Sequence, residues 1–164
     1  MAAVVSDTTP LHYLLVIGHE KVLAKLFGEV LVPPAVLSEL THPAAPKVVS
    51  EWSKNPPPWL KVQSHAILPT EFDNLDFGER QALALAKEVG AEWVLLDDKV
   101  ARRCAEQQSL KVKGTLGVLA QAAKAGLLNF REAVGLLQQT TMHIDATLAQ
   151  EVIEEYEKRA DKSK

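Results

Sequence analysis

Four acidic side chains stand at positions from which a fold could bring their carboxylates together. Asp7 and Asp97 each directly follow a short apolar stretch that is typical of a buried strand. Glu39 and Glu79 each lie near the start of a predicted helix, close to its apolar face. Because ligands collect at the carboxyl ends of parallel strands, we expect the four acids to converge on one edge of a sheet.

A cluster of carboxylates without cysteine or histidine favours one kind of chemistry. Two like charges about 5 Å apart repel by roughly 3 kcal/mol at an effective dielectric near 20, so such groups raise one another's pKa unless a cation binds. Oxygen ligands alone suit Mg²⁺ or Mn²⁺ rather than zinc. In a pocket of this kind the cation activates water and neutralises the charge of a phosphodiester, which predicts metal-assisted hydrolysis.

Each acid also has an ordinary structural explanation. Asp7 is a candidate cap of the first helix, and Glu79 is a candidate third residue of a capping box with Asp76. Asn129 and Glu132 form a similar candidate capping pair at a later helix. Glu39 could be a partly exposed helix residue. Of the doubled acid, Asp98 is a better candidate for a helix cap than Asp97.

Short apolar stretches alternate with amphipathic helices along the whole chain. Strands are predicted at 2–5, 30–32, 60–63, 93–96 and around 112, and helices at 10–18, 20–27, 35–41, 48–52, 76–89, 99–108, 114–126, 129–139 and 146–158. Residues 64–75 are predicted to form a loop. This alternation indicates an α/β fold with a mainly parallel sheet covered by helices on both faces. The order of the strands does not follow from it.

Composition restricts the class of protein. The 164 residues include 47% hydrophobic and 24% charged residues, as in a globular domain, and no apolar stretch approaches the roughly 18 residues that cross a bilayer. The N-terminus lacks the pattern of a signal peptide. One cysteine, Cys104, allows no internal disulfide, so we expect a cytoplasmic protein. A net charge of −3 argues against coating of nucleic acid by bulk charge.

A basic segment begins directly after the doubled acid. Residues 99–113 contain five cationic side chains and a single acid, Glu106. The candidates for contacts to a phosphate backbone are Lys99, Arg102, Arg103 and Lys113, of which Arg102 is the strongest. The alternative is a solvated helix face.

The three tryptophans allow two interpretations. Trp52, Trp59 and Trp93 are candidates for stacking on bases. We expect Trp93 to pack in the core instead, and the other two to cover the proline-rich segment 42–58.

Five sequence blocks, in order and at suitable spacing, resemble a PIN domain. The blocks are Val4–Leu11, Val32–Leu40, Leu75–Leu83, Leu95–Arg102 and Gly114–Leu119. Together they cover about residues 3–126, and they are most similar to the DUF3368-type branch, which is related to VapC-type toxins. The resemblance implies a three-layer α/β/α fold and metal-dependent ribonuclease chemistry on single strands. We therefore expect a nuclease domain at 1–126 and a helical extension of the same domain at 127–164.

The resemblance also assigns roles to residues. The family's acids correspond to Asp7, Glu39, Glu79 and Asp97. We expect Asp7 and Asp97 to bind Mg²⁺ or Mn²⁺ directly, and Glu39 and Glu79 to bind it through water or to orient the nucleophile. The polar groups that hold carboxylates or contact phosphate correspond to Thr8, or less closely Thr9, to Thr115 and to Asp98. Many members are toxins neutralised by a small antitoxin, and many are homodimers.

Three other classes of protein are alternatives to a PIN-like nuclease. A phosphoaspartyl phosphatase needs a second acid two residues after its nucleophile, where this chain has Thr9. A receiver domain needs a lysine after the fifth strand, and Lys113 is only a loose fit. A catalytically silent module of the same fold, which binds RNA or protein, is the alternative without enzymatic activity.

Overall fold

The structure is a computed structural model that describes residues 2–64 and 72–162. Most of the loop predicted at 64–75 lies outside these residues. The described strands are β1 (Val4–Ser6), β2 (Val30–Val32), β3 (Leu60–Val62), β4 (Trp93–Leu95) and β5 (Val112–Lys113). The described helices are α1 (Thr8–Val16), α2 (Val22–Phe27), α3 (Pro34–Thr41), α4 (Lys47–Lys54), α5 (Phe77–Val89), α6 (Lys99–Gln107), α7 (Thr115–Lys124), α8 (Phe130–Gln138) and α9 (Ala146–Lys162).

The five strands form one parallel sheet in the order β3-β2-β1-β4-β5. The chain therefore runs outward from β1 through β2 and β3, then returns to the other side of β1 for β4 and β5. The point where this order reverses lies between β1 and β4, and such a reversal is where open α/β sheets place their ligands. The predicted α/β class, with a parallel sheet in an α/β/α arrangement, is confirmed.

The register of β1 and β4 brings their carboxyl ends to the same edge. Ser6 is paired with Leu95, and the backbone N–H of Asp7 donates to the carbonyl of Leu95 at 2.9 Å. β1 was predicted at 2–5 and forms at 4–6 because Ser6 pairs with β4, a non-local contact that local sequence does not reveal. Asp7 is thereby the first residue beyond the central strand.

The core beside this edge is formed by α5, β4 and α6. Ala82, Leu83 and Ala86 of α5 are fully buried. They belong to one apolar cluster with residues of β4 and α6 that include Val94 and Ala105. This packing fixes the first turns of α5 and α6 relative to the sheet.

Three predicted helix caps are present. The Asp98 carboxylate accepts from the Ala101 N–H at 2.9 Å, and the Asn129 side chain accepts from the Glu132 N–H at 3.0 Å. Asp76 caps α5 as predicted. Asp7 occupies the cap position of α1, yet its side chain makes no capping hydrogen bond there. The capping explanation therefore holds for Asp98 and does not account for Asp7.

The chain divides into two compact units, residues 1–115 and 116–164. The first contains the sheet. In the second, α8 and α9 pack together, with the rings of Phe130 and Tyr156 4.6 Å apart and an ion pair of 2.8 Å between Arg131 and Glu157. The domain boundary expected at 126 remains a prediction. Within the described ranges, every helix is too short or too polar to cross a membrane.

The cap at Asp98 can be tested by two substitutions that differ only in capping ability. Asp98→Ala removes the acceptor for the Ala101 N–H, so we expect the free energy of unfolding to fall by about 1 kcal/mol. Asp98→Asn keeps an acceptor and should stay within a few tenths of a kcal/mol of the parent. Urea denaturation measures both, and an equal loss in the two variants would contradict a capping role.

Candidate functional site

Asp7 is the most deeply buried of the four candidate acids. It follows the central strand, and only 4% of its surface is exposed. The pKa of its carboxyl group is raised to about 7, first by burial and then by the nearby charges of Glu79, Asp76 and Glu39, while the backbone N–H of Thr8 opposes the rise. The surroundings of Asp7 therefore disfavour its charged form.

Glu79 serves in the capping box of α5 and in the acidic group at the same time. Its backbone N–H donates to Asp76 Oδ1 at 2.8 Å, and its Oε1 accepts from the Asp76 N–H at 3.2 Å. Burial raises the pKa of Glu79 to about 7, with contributions from the charges of Asp76 and Asp98. The structural and functional explanations of this residue are both consistent with its position.

The prediction that Glu39 lies near the start of its helix is wrong: Glu39 lies in the last turn of α3, and its exposed side chain reaches the start of α1. Its Oε2 accepts a hydrogen bond of 2.6 Å from the Thr8 hydroxyl. The carboxylate also lies against Gly78 so closely that a Cβ atom there would collide with Oε1. Thr8 and Gly78 together fix where this carboxylate sits, and of the two threonines considered, it is Thr8 that contacts an acid.

Asp97 is held by the residue that begins α7. The Thr115 N–H donates to Asp97 Oδ1 at 2.8 Å, and its hydroxyl donates to Oδ2 at 2.6 Å. Burial raises the pKa of Asp97, while the Thr115 hydrogen bonds and the charge of Arg102 oppose the rise. A Cβ atom on Gly114 would lie 2.8 Å from Oδ1 and 3.4 Å from Arg102 Nη1, so this glycine leaves the space that the two groups use.

The acids lie at one edge of the sheet, but their carboxylates are not arranged as a complete set of metal ligands among the described residues. Electrostatic interactions connect Asp7 with Glu79 and Glu39, and Glu79 with Asp98. Across residues 2–64 and 72–162, no group of three or more His, Cys, Asp or Glu side chains is arranged to hold a metal ion directly. Glu39, Glu79 and Asp97 instead accept hydrogen bonds from their own chain.

The chemistry of these residues nevertheless fits a hard divalent cation. The donors are carboxylate and hydroxyl oxygens, which Mg²⁺ and Mn²⁺ prefer. Two buried carboxyl groups, Asp7 and Glu79, have a pKa near 7, so a cation beside them would relieve an existing electrostatic cost. Because residues 78 and 114 are glycines, the carboxylates of Glu39 and Asp97 can lie directly against the backbone there.

The basic segment divides into two groups in the structure. Lys99, Arg102 and Arg103 of α6 line, with Glu106, a groove of about 240 Å³, and the charge of Arg102 acts on Asp97. Lys113 instead places its ammonium group 4.1 Å from the centre of the Trp93 ring, at the amino end of β4, and burial lowers its pKa. The proposed phosphate contact by Lys113 remains a prediction.

The tryptophans follow the expectations in part. The Trp52 and Trp59 rings pack against each other with centroids 5.8 Å apart, next to the proline-rich segment. Trp93 is only half-buried, because Lys113 and Lys111 cover part of its ring in place of apolar core residues. From the sequence, Trp93 was predicted to pack in the core, and its interaction with two lysine side chains was not predicted.

Comparison with known proteins agrees with this architecture. The model of a PIN-domain family, DUF3368, matches residues 3–158. The chain belongs to the PIN-domain family. No curated protein and no solved structure matches it significantly. The PIN domain is a nuclease-type fold, and the match continues beyond residue 126, so α8 and most of α9 are part of the family's pattern.

Three contributors to the site were not predicted from the sequence. Asp76 adds charge to both Asp7 and Glu79, and Gly78 and Gly114 leave space for carboxylates. Asp76 was recognisable only as a cap. The two glycines gave a weaker signal, since each directly precedes a residue that contributes to the site.

The buried carboxyl of Asp7 predicts a specific dependence of stability on pH. Its raised pKa means that the folded state binds this proton more tightly than the unfolded state, so stability falls as pH rises from about 4 to about 7 and then levels off. Asp7→Asn removes this pH-dependent contribution to stability. Without divalent cations, we expect the variant to gain up to about 4 kcal/mol over the parent at pH 8, with the gain vanishing near pH 4.

Chemical denaturation at pH 4.5, 6 and 8 in EDTA measures this difference. Asp145→Asn is the matched control, because Asp145 is exposed and an asparagine can still accept from the Leu148 N–H at the start of α9. If Asp7→Asn and the parent lost stability equally between pH 4.5 and 8, the raised pKa of Asp7 would be refuted.

Proposed function

We propose that the protein is a metal-dependent endoribonuclease that hydrolyses phosphodiesters of single-stranded RNA. The observation that carries this proposal is the pair of buried carboxyl groups, Asp7 and Glu79, with pKa near 7 at the edge where the strand order reverses. Membership in a family with a nuclease-type fold supports the same chemistry. Carboxyl groups with strongly raised pKa values are concentrated at functional sites, which also supports the proposal.

The proposed ligands are the four acids. Asp7 and Asp97, which follow neighbouring strands, would hold Mg²⁺ or Mn²⁺ directly, and Glu39 and Glu79 would bind it through water or orient the attacking water. When bound, such a cation lowers the pKa of water and neutralises charge on the phosphodiester. Thr8 and Thr115 position the carboxylates of Glu39 and Asp97 through hydrogen bonds of 2.6 Å.

The substrate would approach along α6. Lys99, Arg102 and Arg103 supply positive charge on an otherwise acidic chain, and Arg102 lies closest to Asp97, whose pKa it lowers. We assign these three residues to contacts with the phosphate backbone. Asp98 supports this helix through its cap, which keeps the basic residues next to the acids.

The proposal also covers the biological role of the protein, its partner and its assembly. Family membership supports a role as the toxin of a type II toxin–antitoxin pair, with a small antitoxin protein as partner and a homodimer as the assembly. A cytoplasmic location agrees with the single cysteine.

One observation favours a second candidate function, a silent module that binds RNA or protein without cutting. The described residues contain no finished metal-binding group, and three of the four acids accept hydrogen bonds within the chain. In such a module the acids would be kept for folding or for contacts with a partner.

RNA cleavage in Mg²⁺ or Mn²⁺ separates the two functions. We expect the parent to cut single-stranded RNA, EDTA to abolish cutting, and Asp7→Asn to reduce the rate at least about 100-fold, because one direct metal ligand is lost. Asp145→Asn should cut like the parent. Cleavage by Asp7→Asn at the parental rate would refute the site, and RNA binding without cleavage by the parent would establish the silent module.

The space left by Gly78 gives a test of Glu39. In Gly78→Ala the new Cβ displaces the Glu39 carboxylate and breaks its bond to Thr8, so we expect cleavage to fall about 10-fold. Because Glu39 is exposed and flexible, the free energy of unfolding should change by less than about 1 kcal/mol.

Gly135→Ala in α8 is the matched control, since a Cβ there meets no atom within 4 Å. It should leave cleavage unchanged and stabilise the helix by up to about 1 kcal/mol. Normal cleavage by Gly78→Ala would show that the position of Glu39 does not matter for the reaction.

A further inference from the structure

Phe77 is the most exposed large apolar side chain among the described residues, with 58% of its surface open to solvent. It is the first residue of α5. In the part of the chain that the structure describes, its ring has no aromatic or cationic partner among the ring contacts. An exposed phenylalanine of this kind contributes little to the core, and its ring is available for contacts outside the chain. Exposure of one apolar side chain is common, so its meaning depends on its neighbours.

The neighbours of Phe77 place it at the margin of the acidic site. The preceding residue, Asp76, contributes charge to Asp7 and Glu79. The backbone of the following residue, Gly78, lies against the Glu39 carboxylate. Phe77 therefore stands between two residues that both contact the site, while its own ring faces solvent.

The charges around Phe77 determine what can bind there. The acids beside it repel phosphate, whereas a nucleobase is neutral and has a flat face that stacks on an aromatic ring. Phosphates are accommodated better on α6, where Lys99, Arg102 and Arg103 lie. Through Asp76 and Gly78, Phe77 adjoins Asp7, Glu79 and Glu39, and Arg102 of α6 acts on Asp97. A single strand with its bases towards the start of α5 and its phosphates towards α6 would use both surfaces.

We propose that Phe77 stacks on a nucleobase of the single-stranded substrate and so positions the adjoining phosphodiester at the acidic residues. This proposal rests on the proposed nuclease function and adds a residue that recognises bases without reading their sequence. It requires that the target be unpaired, because a base in a duplex does not offer its face.

Binding is measured in the Asp7→Asn background with fluorescein-labelled single-stranded oligoribonucleotides in Mg²⁺, by fluorescence anisotropy. Phe77→Ala should weaken binding about 10-fold, in line with the loss of one stacked base. Phe77→Leu, which keeps an apolar side chain without the ring, should lose nearly as much. Phe77→Trp should restore affinity, and its added fluorescence should be quenched by the RNA.

Two further readouts separate stacking from charge. Phe77→Ala should leave the salt dependence of binding unchanged, whereas Arg103→Ala should reduce the slope of log K against log salt by about 0.7 for one lost phosphate contact. An abasic ribose at the stacked position should weaken binding about 10-fold with Phe77 present and have no further effect in Phe77→Ala. In the enzyme with Asp7 intact, Phe77→Ala should raise KM more than it lowers kcat.

The outcomes distinguish this inference from the function on which it rests. If the parent cuts RNA and Phe77→Ala binds and cuts like the parent, only the stacking role is overturned. If the parent neither binds nor cuts RNA, both proposals fail. If Phe77→Ala changes the oligomeric state in light scattering while RNA affinity is unchanged, Phe77 belongs to a protein contact and the stacking role is overturned.

Discussion

The cost of keeping like charges together at one edge of the sheet is the constraint on which the rest of the structure depends. Asp7 follows the central strand, is almost fully buried, and shares its surroundings with Glu79, Asp76 and Glu39. Burial first, and then these neighbouring charges, raise the pKa of Asp7 to about 7. The order of the parallel strands determines the position of Asp7. After β3 the chain returns to the other side of β1 to add β4, so the carboxyl end of β1 lies where the strand order reverses. The fold therefore places carboxylates together in spite of their repulsion.

Contacts from several parts of the chain hold these carboxylates in place. Thr8 and Thr115 hold Glu39 and Asp97 through short hydrogen bonds, and the capping box holds Glu79. Glu79 shows why a capping role and a functional role are not exclusive: the cap fixes the backbone, and the same carboxyl group remains close enough to Asp7 to raise its pKa. Stabilising the helix is in this case the means of positioning the acid.

The sequence predicted the parts of the fold that depend on local patterns. Hydrophobic periodicity located the strands and helices to within a few residues, and cap residues such as Asp98 and Asn129 marked helix starts correctly. Strand order and the shift of β1 to include Ser6 depend on pairing between distant segments, so no local pattern contains them. For the same reason the spaces at Gly78 and Gly114 were missed, since their value lies in carboxylates that other segments supply.

The cations of the basic segment do not all lie in the same place. Lys113 of β5 pairs with Leu95, and its ammonium group lies over Trp93, towards the amino end of β4. Arg102, one helical turn beyond Asp98, is the cation that acts on Asp97. Strand pairing and helix phase, more than the number of cations, determine which charges reach the site.

The pKa values of the acids also bear on how a cation would bind at the proposed site. With pKa values of about 7, Asp7 and Glu79 are partly protonated near neutral pH, so a cation would have to displace those protons as well as compete with the hydrogen bonds from Thr8 and Thr115. A bound cation would favour the charged form of both carboxyl groups and offset the repulsion between them. On the proposed function, the acids that are unfavourable together in the isolated chain would be the ones that hold the cation, and their affinity for it would rise with pH.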